Sequence, residues 1–294
     1  MNRHIEDAAL IATARKWFHG QIVSRGVLVV DLQGVPSNSD KDNKPSCSIG
    51  KLVADDLCAK TGKKLPAQTA GSIFEELVRE FIEMTFPKLQ HLRPGKWTVA
   101  NLGNNNAIKT SSFAQYEHLA HLAKVIRADN QLATMLGNDY VVAPDIVVSR
   151  HPCSDDEIND AANILDDSVC LKTDIRKKNN PLDIMHASVS VKWTMRSDRA
   201  QNSRTEALNL IRNRKGHLPH VVVVTGEPLP SRLASLALGT GDIDCVYHFA
   251  LHELIDAVKQ YSKYDREDVF ELLETMINGK RLRDISDLPL DLSC

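Results

Sequence analysis

The sequence predicts an α/β protein with a central mixed β-sheet flanked by helices, and three observations lead there. Short β-branched runs alternate with helical segments through the second half of the chain. Val221 to Val224 is wholly apolar, as in a strand covered on both faces. Gly71 to Phe86 places Ile73, Phe74, Leu77, Val78, Phe81 and Ile82 on one helical face, with Glu75, Glu76, Arg79 and Glu80 opposite.

Taken in order, the first ~20 residues alternate apolar and polar groups at helical spacing. Gly34 to Gly50 is too polar for a core element and reads as a surface loop. Asn101 to Asn106 reads as an Asn/Gly turn, and Ser112 to Ala128 as a helix. Tyr140 to Val148 reads as a buried strand with an irregularity at Pro144. A polar, acidic excursion runs to about Asn180, and a strand follows at Ala187 to Thr194. A helix from Asp198 to Lys215 stops at Gly216, a residue suited to a helix C-cap. A strand at Cys245 to Ala250 and helices at Leu251 to Tyr261 and Arg266 to Asn278 complete the pattern. With 294 residues, 43% of them hydrophobic, the chain suffices for one domain, residues 1–294, with a helical part at 1–135 and an α/β core at 136–294.

No apolar run reaches the ~18–20 residues of a membrane span, and acids near the N-terminus exclude a secretory signal. The six cysteines are scattered without a Cys-x-x-Cys pair, which suits reduced thiols in a cytoplasmic protein. Net charge is −2, so the chain is no polycation. Yet Lys192 to Lys215 holds seven basic residues against two acids, a net +5. Such a segment fits one face of a duplex or a solvated helix face, and charge alone leaves both open. His118 and His121 lack a third metal ligand, and Gly239 to Asp242 lacks the Lys-Ser/Thr of a nucleotide loop.

One constellation carries chemistry. Ser190 and Lys192 are two apart on a strand and leave the same face of the sheet. Pro144-Asp145 opens the preceding strand, so Asp145 lies beside them if the two strands pair. Glu206, on the following helix, is able to point back to the same place. Carboxylates that hold a divalent metal, with a cation to stabilise charge and position water, are what metal-dependent phosphodiester hydrolysis requires. Alone the Pro-Asp…x-Lys pattern is weak, because an exposed Asp–Lys pair is usually a surface salt bridge. Glu75 alone reads as a solvent-facing helical glutamate.

The run Ser190-Val191-Lys192-Trp193-Thr194-Met195-Arg196-Ser197-Asp198-Arg199, followed by Glu206, resembles the NgoMIV-type branch of the CCGG-cutting type II restriction endonucleases, within the PD-(D/E)xK nuclease superfamily. In that branch Ser-x-Lys replaces acid-x-Lys and a helix-borne Glu supplies the missing carboxylate. The resemblance extends to Leu65 to Gly71, Gln90 to Gly95, Asn209 to Thr225 and Gly239 to Leu292. It fades over the first ~20 residues and between about Pro152 and Met185.

The resemblance implies a restriction-endonuclease-like core and an enzyme that cuts double-stranded DNA with Mg²⁺, two ions per active site. It implies Asp145 and Glu206 as metal carboxylates and the carbonyl near Val191 as a further ligand. Lys192 orients and activates water, Ser190 supports the site, and Glu75 is an acid near the metals. It further implies that Arg196, Asp198 and Arg199 read the CCGG core. Arginine donates to guanine O6 and N7, and Asp accepts from cytosine N4; capping of the helix by Ser197 or Asp198 is the plain alternative. Gln68 and Asp40 are implied at the outer base pair, giving GCCGGC, cut after the first G to leave a four-base 5′ overhang. Arg93, Arg212 and Arg214 are phosphate-contact candidates, or ordinary surface charges. The branch forms homotetramers, dimers of dimers. The competing readings are a catalytically inactive DNA-binding protein of the same fold and a structure-specific repair nuclease.

Overall fold

The computed structural model describes residues 8–102, 110–128, 144–195, 197–239, 241–263 and 267–294. In chain order these form α1 (Leu10–Ser24), α2 (Lys44–Asp56), α3 (Ala67–Thr85), β1 (Trp97–Asn101), α4 (His118–Ala128), β2 (Ile146–Arg150) and α5 (Asp155–Ile158). Then come β3 (Ile184–Lys192), α6 (Ser197–Asn213), β4 (His220–Thr225), α7 (Pro230–Ala237), β5 (Cys245–His248), α8 (Leu251–Ser262), α9 (Glu267–Asn278), β6 (Leu282–Asp284) and α10 (Leu288–Asp291). The sheet order is β1-β2-β3-β4-β5-β6. It is mixed as expected: β1, β2 and β3 run antiparallel, while β4, β5 and β6 run parallel. No described helix is long and apolar enough to cross a membrane, and all six cysteines are free thiols.

The chain divides into two compact units of interleaved segments. The first comprises Met1–Arg93, Ser190–Arg204 and Val222–Cys294. Its α3 buries the predicted stripe apart from half-buried Ile73, with Phe74, Leu77, Val78, Phe81 and Ile82 inaccessible to solvent. Phe18 of α1 packs on Phe81, with ring centroids 5.5 Å apart. Arg15 reaches from the same helix to two acids near the far end of the sequence. Its guanidinium donates to Asp284 Oδ1 and Oδ2, each at 2.9 Å, and to Glu253 at 2.9 and 2.6 Å. Burial pushes the Asp284 carboxyl up, but Arg15 and Ser286 outweigh it and hold it at about 2.

The loop expected at Gly34 to Gly50 is corrected at its end, where Lys44 to Gly50 already belongs to α2. Asn43 caps that helix by accepting from Ser46 N–H, and a proline occupies its first turn. Ile49, Gly50, Val53 and Ala54 then form a buried face among polar neighbours.

The second unit comprises Pro94–Val189 and Thr205–Val221. Ile146 lies opposite Val189 and Val99 opposite Val148, with a register shift between Val148 and Ser149. Leu102, Phe113, Tyr116, Leu119, Val147, Met185 and Leu210 form its core. Gln115 acts as a side-chain substitute for a strand partner. Its Oε1 accepts from Met185 N at 2.9 Å and its Nε2 donates to Met185 O at 2.7 Å. The acidic excursion is organised around Arg176, whose buried guanidinium donates to both carboxylate oxygens of Asp155 at 2.6 and 2.7 Å. A capping box between Ser154 and Glu157 starts α5. The predicted strand at Tyr140 to Val148 begins at Ile146; residues 140–143 lie outside the described residues, as does most of the turn expected at Asn101 to Asn106.

Candidate active site

Strand alternation places Ser190 and Lys192 on one face of β3 and Val191 on the other. Ser190 is buried, and its Oγ lies 3.3 Å from the Oγ of Ser203 on α6. Lys192 is half-buried, and its carbonyl accepts from Gly226 N–H at 3.2 Å, just beyond β4. The next residue, Trp193, is buried between Phe74 and Phe249, at centroid distances of 4.9 and 5.3 Å. This aromatic cluster fixes the main chain that carries Lys192. Glu75 follows Phe74 on α3 and is half-buried, while its neighbour Glu76 pairs with Arg25 at 2.6 Å.

After Trp193 the chain leaves regular structure, and side chains take over the role of a ladder. Met195 N–H donates to Glu227 Oε2 at 3.0 Å, and Arg232 Nη1 donates to the Met195 carbonyl at 3.2 Å. Arg232 also pairs with Asp40 and lies 3.7 Å from Glu227. Asp40, expected at an outer base, thus already has an arginine beside it. Glu227 has no solvent exposure; burial pushes its carboxyl up to about 7, against the lowering effect of Met195 N–H, Arg232 and Leu229 N–H. Sequence reasoning missed Glu227 and Arg232. The available signal was a lone acid in the otherwise uncharged stretch Val221 to Pro230.

Gln68 is exposed in the first turn of α3. Arg196 lies outside the described residues. Asp198 and Arg199 stand on α6, with side chains outside the description. Among the phosphate candidates, Arg93 donates to the Cys294 carbonyl at 3.1 Å, Arg214 to that of Ile211, and Arg212 is exposed.

In the second unit Asp145 occupies a bend after buried Pro144, at the head of β2, and its carbonyl accepts from Leu102 N–H at 3.2 Å. Glu206 is half-buried on α6, beside buried Ala207. No trio of His, Cys, Asp or Glu side chains able to hold a metal occurs among the described residues. Carboxylate and carbonyl oxygens are hard donors of the kind Mg²⁺ takes, one or two protein carboxylates with water and substrate phosphate completing its shell.

The profile of the NgoMIV restriction enzyme family matches residues 18–294. The type II restriction enzyme NgoMIV of Neisseria gonorrhoeae is 48% identical over 285 residues, spanning 97% of this chain and 99% of that one. Among solved structures, a complex of restriction endonuclease PspGI with substrate DNA covers 99% of this chain and 94% of its own. Its identity is 14% and its TM-score 0.25, too low for a structural correspondence to be drawn.

Proposed function

The chain belongs to the NgoMIV restriction enzyme family and is a type II restriction enzyme; from that premise we propose that it cuts double-stranded DNA at GCCGGC with Mg²⁺. The observation that carries the catalytic part is the pairing of Ser190 and Lys192 on one face of β3, at a strand end locked by Trp193.

Asp145 and Glu206, with the Val191 carbonyl, would hold Mg²⁺, two ions per site by family resemblance. When bound, the metal would supply Lewis-acid polarisation of the scissile phosphate and acidify water. Lys192 holds the attacking water in line with the phosphorus and offsets the charge that develops on the phosphate oxygens. Attack forms the new P–O bond as the bond to the 3′ oxygen breaks. Ser190 supports the lysine from the same face, and Glu75 adds an acid near the metals.

Arg196, Asp198 and Arg199 read the G·C-only core, where bidentate arginine–guanine contacts discriminate best. Gln68 and Asp40 read the outer pair. Cleavage after the first G leaves a four-base 5′ overhang, and the enzyme works as a tetramer of two back-to-back dimers.

Digestion of a fully sequenced plasmid with Mg²⁺, beside an EDTA control and with the fragment ends sequenced, tests the reading. The expected result is discrete cuts at GCCGGC that vanish in EDTA. Cuts at another CCGG-centred site would replace the outer-base assignment. Tight site-specific binding without cuts would identify an inactive binder instead.

A further inference from the structure

We propose that Glu227 is a positioning residue of the restriction reaction, holding the Met195 peptide and thereby the entry to the Arg196–Arg199 segment. The role rests on the reading of that segment as the CCGG reader. Its geometric basis is independent of it. Glu227 Oε2 accepts from Met195 N–H at 3.0 Å and Oε1 from Leu229 N–H at 3.2 Å, so one carboxylate ties the end of β3 to the start of α7. Arg232, on α7, takes the other polar group of the same peptide, the Met195 carbonyl. Both main-chain groups of residue 195 are therefore held by side chains that face each other across 3.7 Å.

The stretch around Glu227 touches the other parts of the reaction too. Gly226 N–H donates to the Lys192 carbonyl, and the Gly226 carbonyl accepts from Asn38 Nδ2 at 2.8 Å, two residues before Asp40. A carboxylate with no solvent exposure is costly to keep unless its partners need it. Here the partners are the residue before the first core-reading arginine and the helix whose arginine pairs with Asp40. An ill-fitting base that shifts Arg196 pulls on Met195, and the clamp passes that shift to the strand end carrying Lys192. Glu227 touches neither DNA nor metal in this role.

Glu227→Gln keeps the volume but turns an N–H toward one of the two amides, breaking half of the clamp. The measurement is binding of the full-length enzyme to a GCCGGC duplex and to one with a single CCGG base pair exchanged. Glu227→Gln should lose about tenfold in preference for GCCGGC, the worth of one buried hydrogen bond, with binding to unrelated DNA unchanged. Arg196→Ala runs in parallel. Loss of preference in Arg196→Ala but not in Glu227→Gln overturns the positioning role alone; no loss in Arg196→Ala overturns the recognition reading beneath it. Tyr247→Phe, which removes a 2.6 Å hydrogen bond to Asp291 elsewhere in the same unit, should keep full preference. An equal loss there would reduce the Glu227 effect to general destabilisation and overturn the proposal. Amide exchange in the unmodified enzyme gives a check that needs no variant: Met195 N–H should exchange as slowly as core amides, and exchange at the rate of an exposed amide overturns the clamp.

Discussion

Trp193 leaves Gly226 no room for a side chain: a Cβ there falls 2.5 Å from Cε3 of the indole and 2.9 Å from the Trp193 carbonyl oxygen. Gly226→Ala should therefore push the tryptophan off its Phe74 and Phe249 contacts. Overpacking of this kind costs about 1–3 kcal/mol. Because Trp193 follows Lys192, single-turnover cleavage should fall by more than DNA affinity. A melting temperature and cleavage rate equal to wild type would show that the indole has space to yield.

Lys192→Ala should bind its site like the wild-type enzyme and cut nothing. In the proposed role the lysine acts on water and phosphate charge, whereas affinity comes from other phosphate and base contacts. Gel-shift titration beside plasmid digestion measures both. A loss of binding as large as the loss of cutting would contradict the assignment.

Arg15→Met strands two acids that are largely removed from water, since Asp284 is 1% exposed and Glu253 14%. Removing one partner of a buried ion pair costs about 3–5 kcal/mol, more than a surface pair contributes. The denaturation midpoint should drop accordingly, and a change below ~1 kcal/mol would mean that water solvates the acids after all.

Two buried groups make stability depend on pH in opposite senses. Burial holds His248 down to about 4, whereas an unfolded histidine protonates near 6.5. The folded form refuses a proton that the unfolded chain accepts, so stability is lost as pH falls through that window, by roughly 1.4 kcal/mol per unit. His19, also lowered chiefly by burial, adds to this side. Glu227 keeps its proton up to about 7, against 4.5 when unfolded, so it gains stability as pH falls from 7 to 4.5. Between pH 6.5 and 4.5 the gain at Glu227 offsets part of the loss at the histidines, so the wild-type melting temperature should fall less than that of Glu227→Gln. His248→Asn should rise on acidification and Glu227→Gln should fall. Parallel profiles for all three proteins would refute the opposed signs.

The spacing of Ser190 and Lys192, the stripe on α3 and the apolar run at Val221 to Val224 were legible because strand and helix periods are local properties. What locks the site was not. Trp193 is held by Phe74, Gly226 and Phe249, which are distant in sequence and carry no mark of a shared neighbour. Strands β1 and β6 escaped because they are five and three residues long, and such short segments become strands only through pairing. Helix α2 was hidden by its polar composition, although Asn43 and Pro45 are ordinary start signals. Glu227 showed only as a lone acid in an uncharged stretch and Arg232 carried no mark, because the group they hold together is a main-chain peptide, which any residue at position 195 would present.

The long reach of Arg15 sets an order of events during synthesis. As the chain leaves the ribosome, α1 is made before Glu253 and Asp284, the acids that anchor it, which lie 238 and 269 residues beyond Arg15. Phe249, which packs on Trp193, is also a late arrival. A nascent chain truncated before these residues has Lys192 and Trp193 but not the Phe249 ring that packs on Trp193. Arg15 and Trp193 therefore have their full set of partners only once translation has passed Asp284.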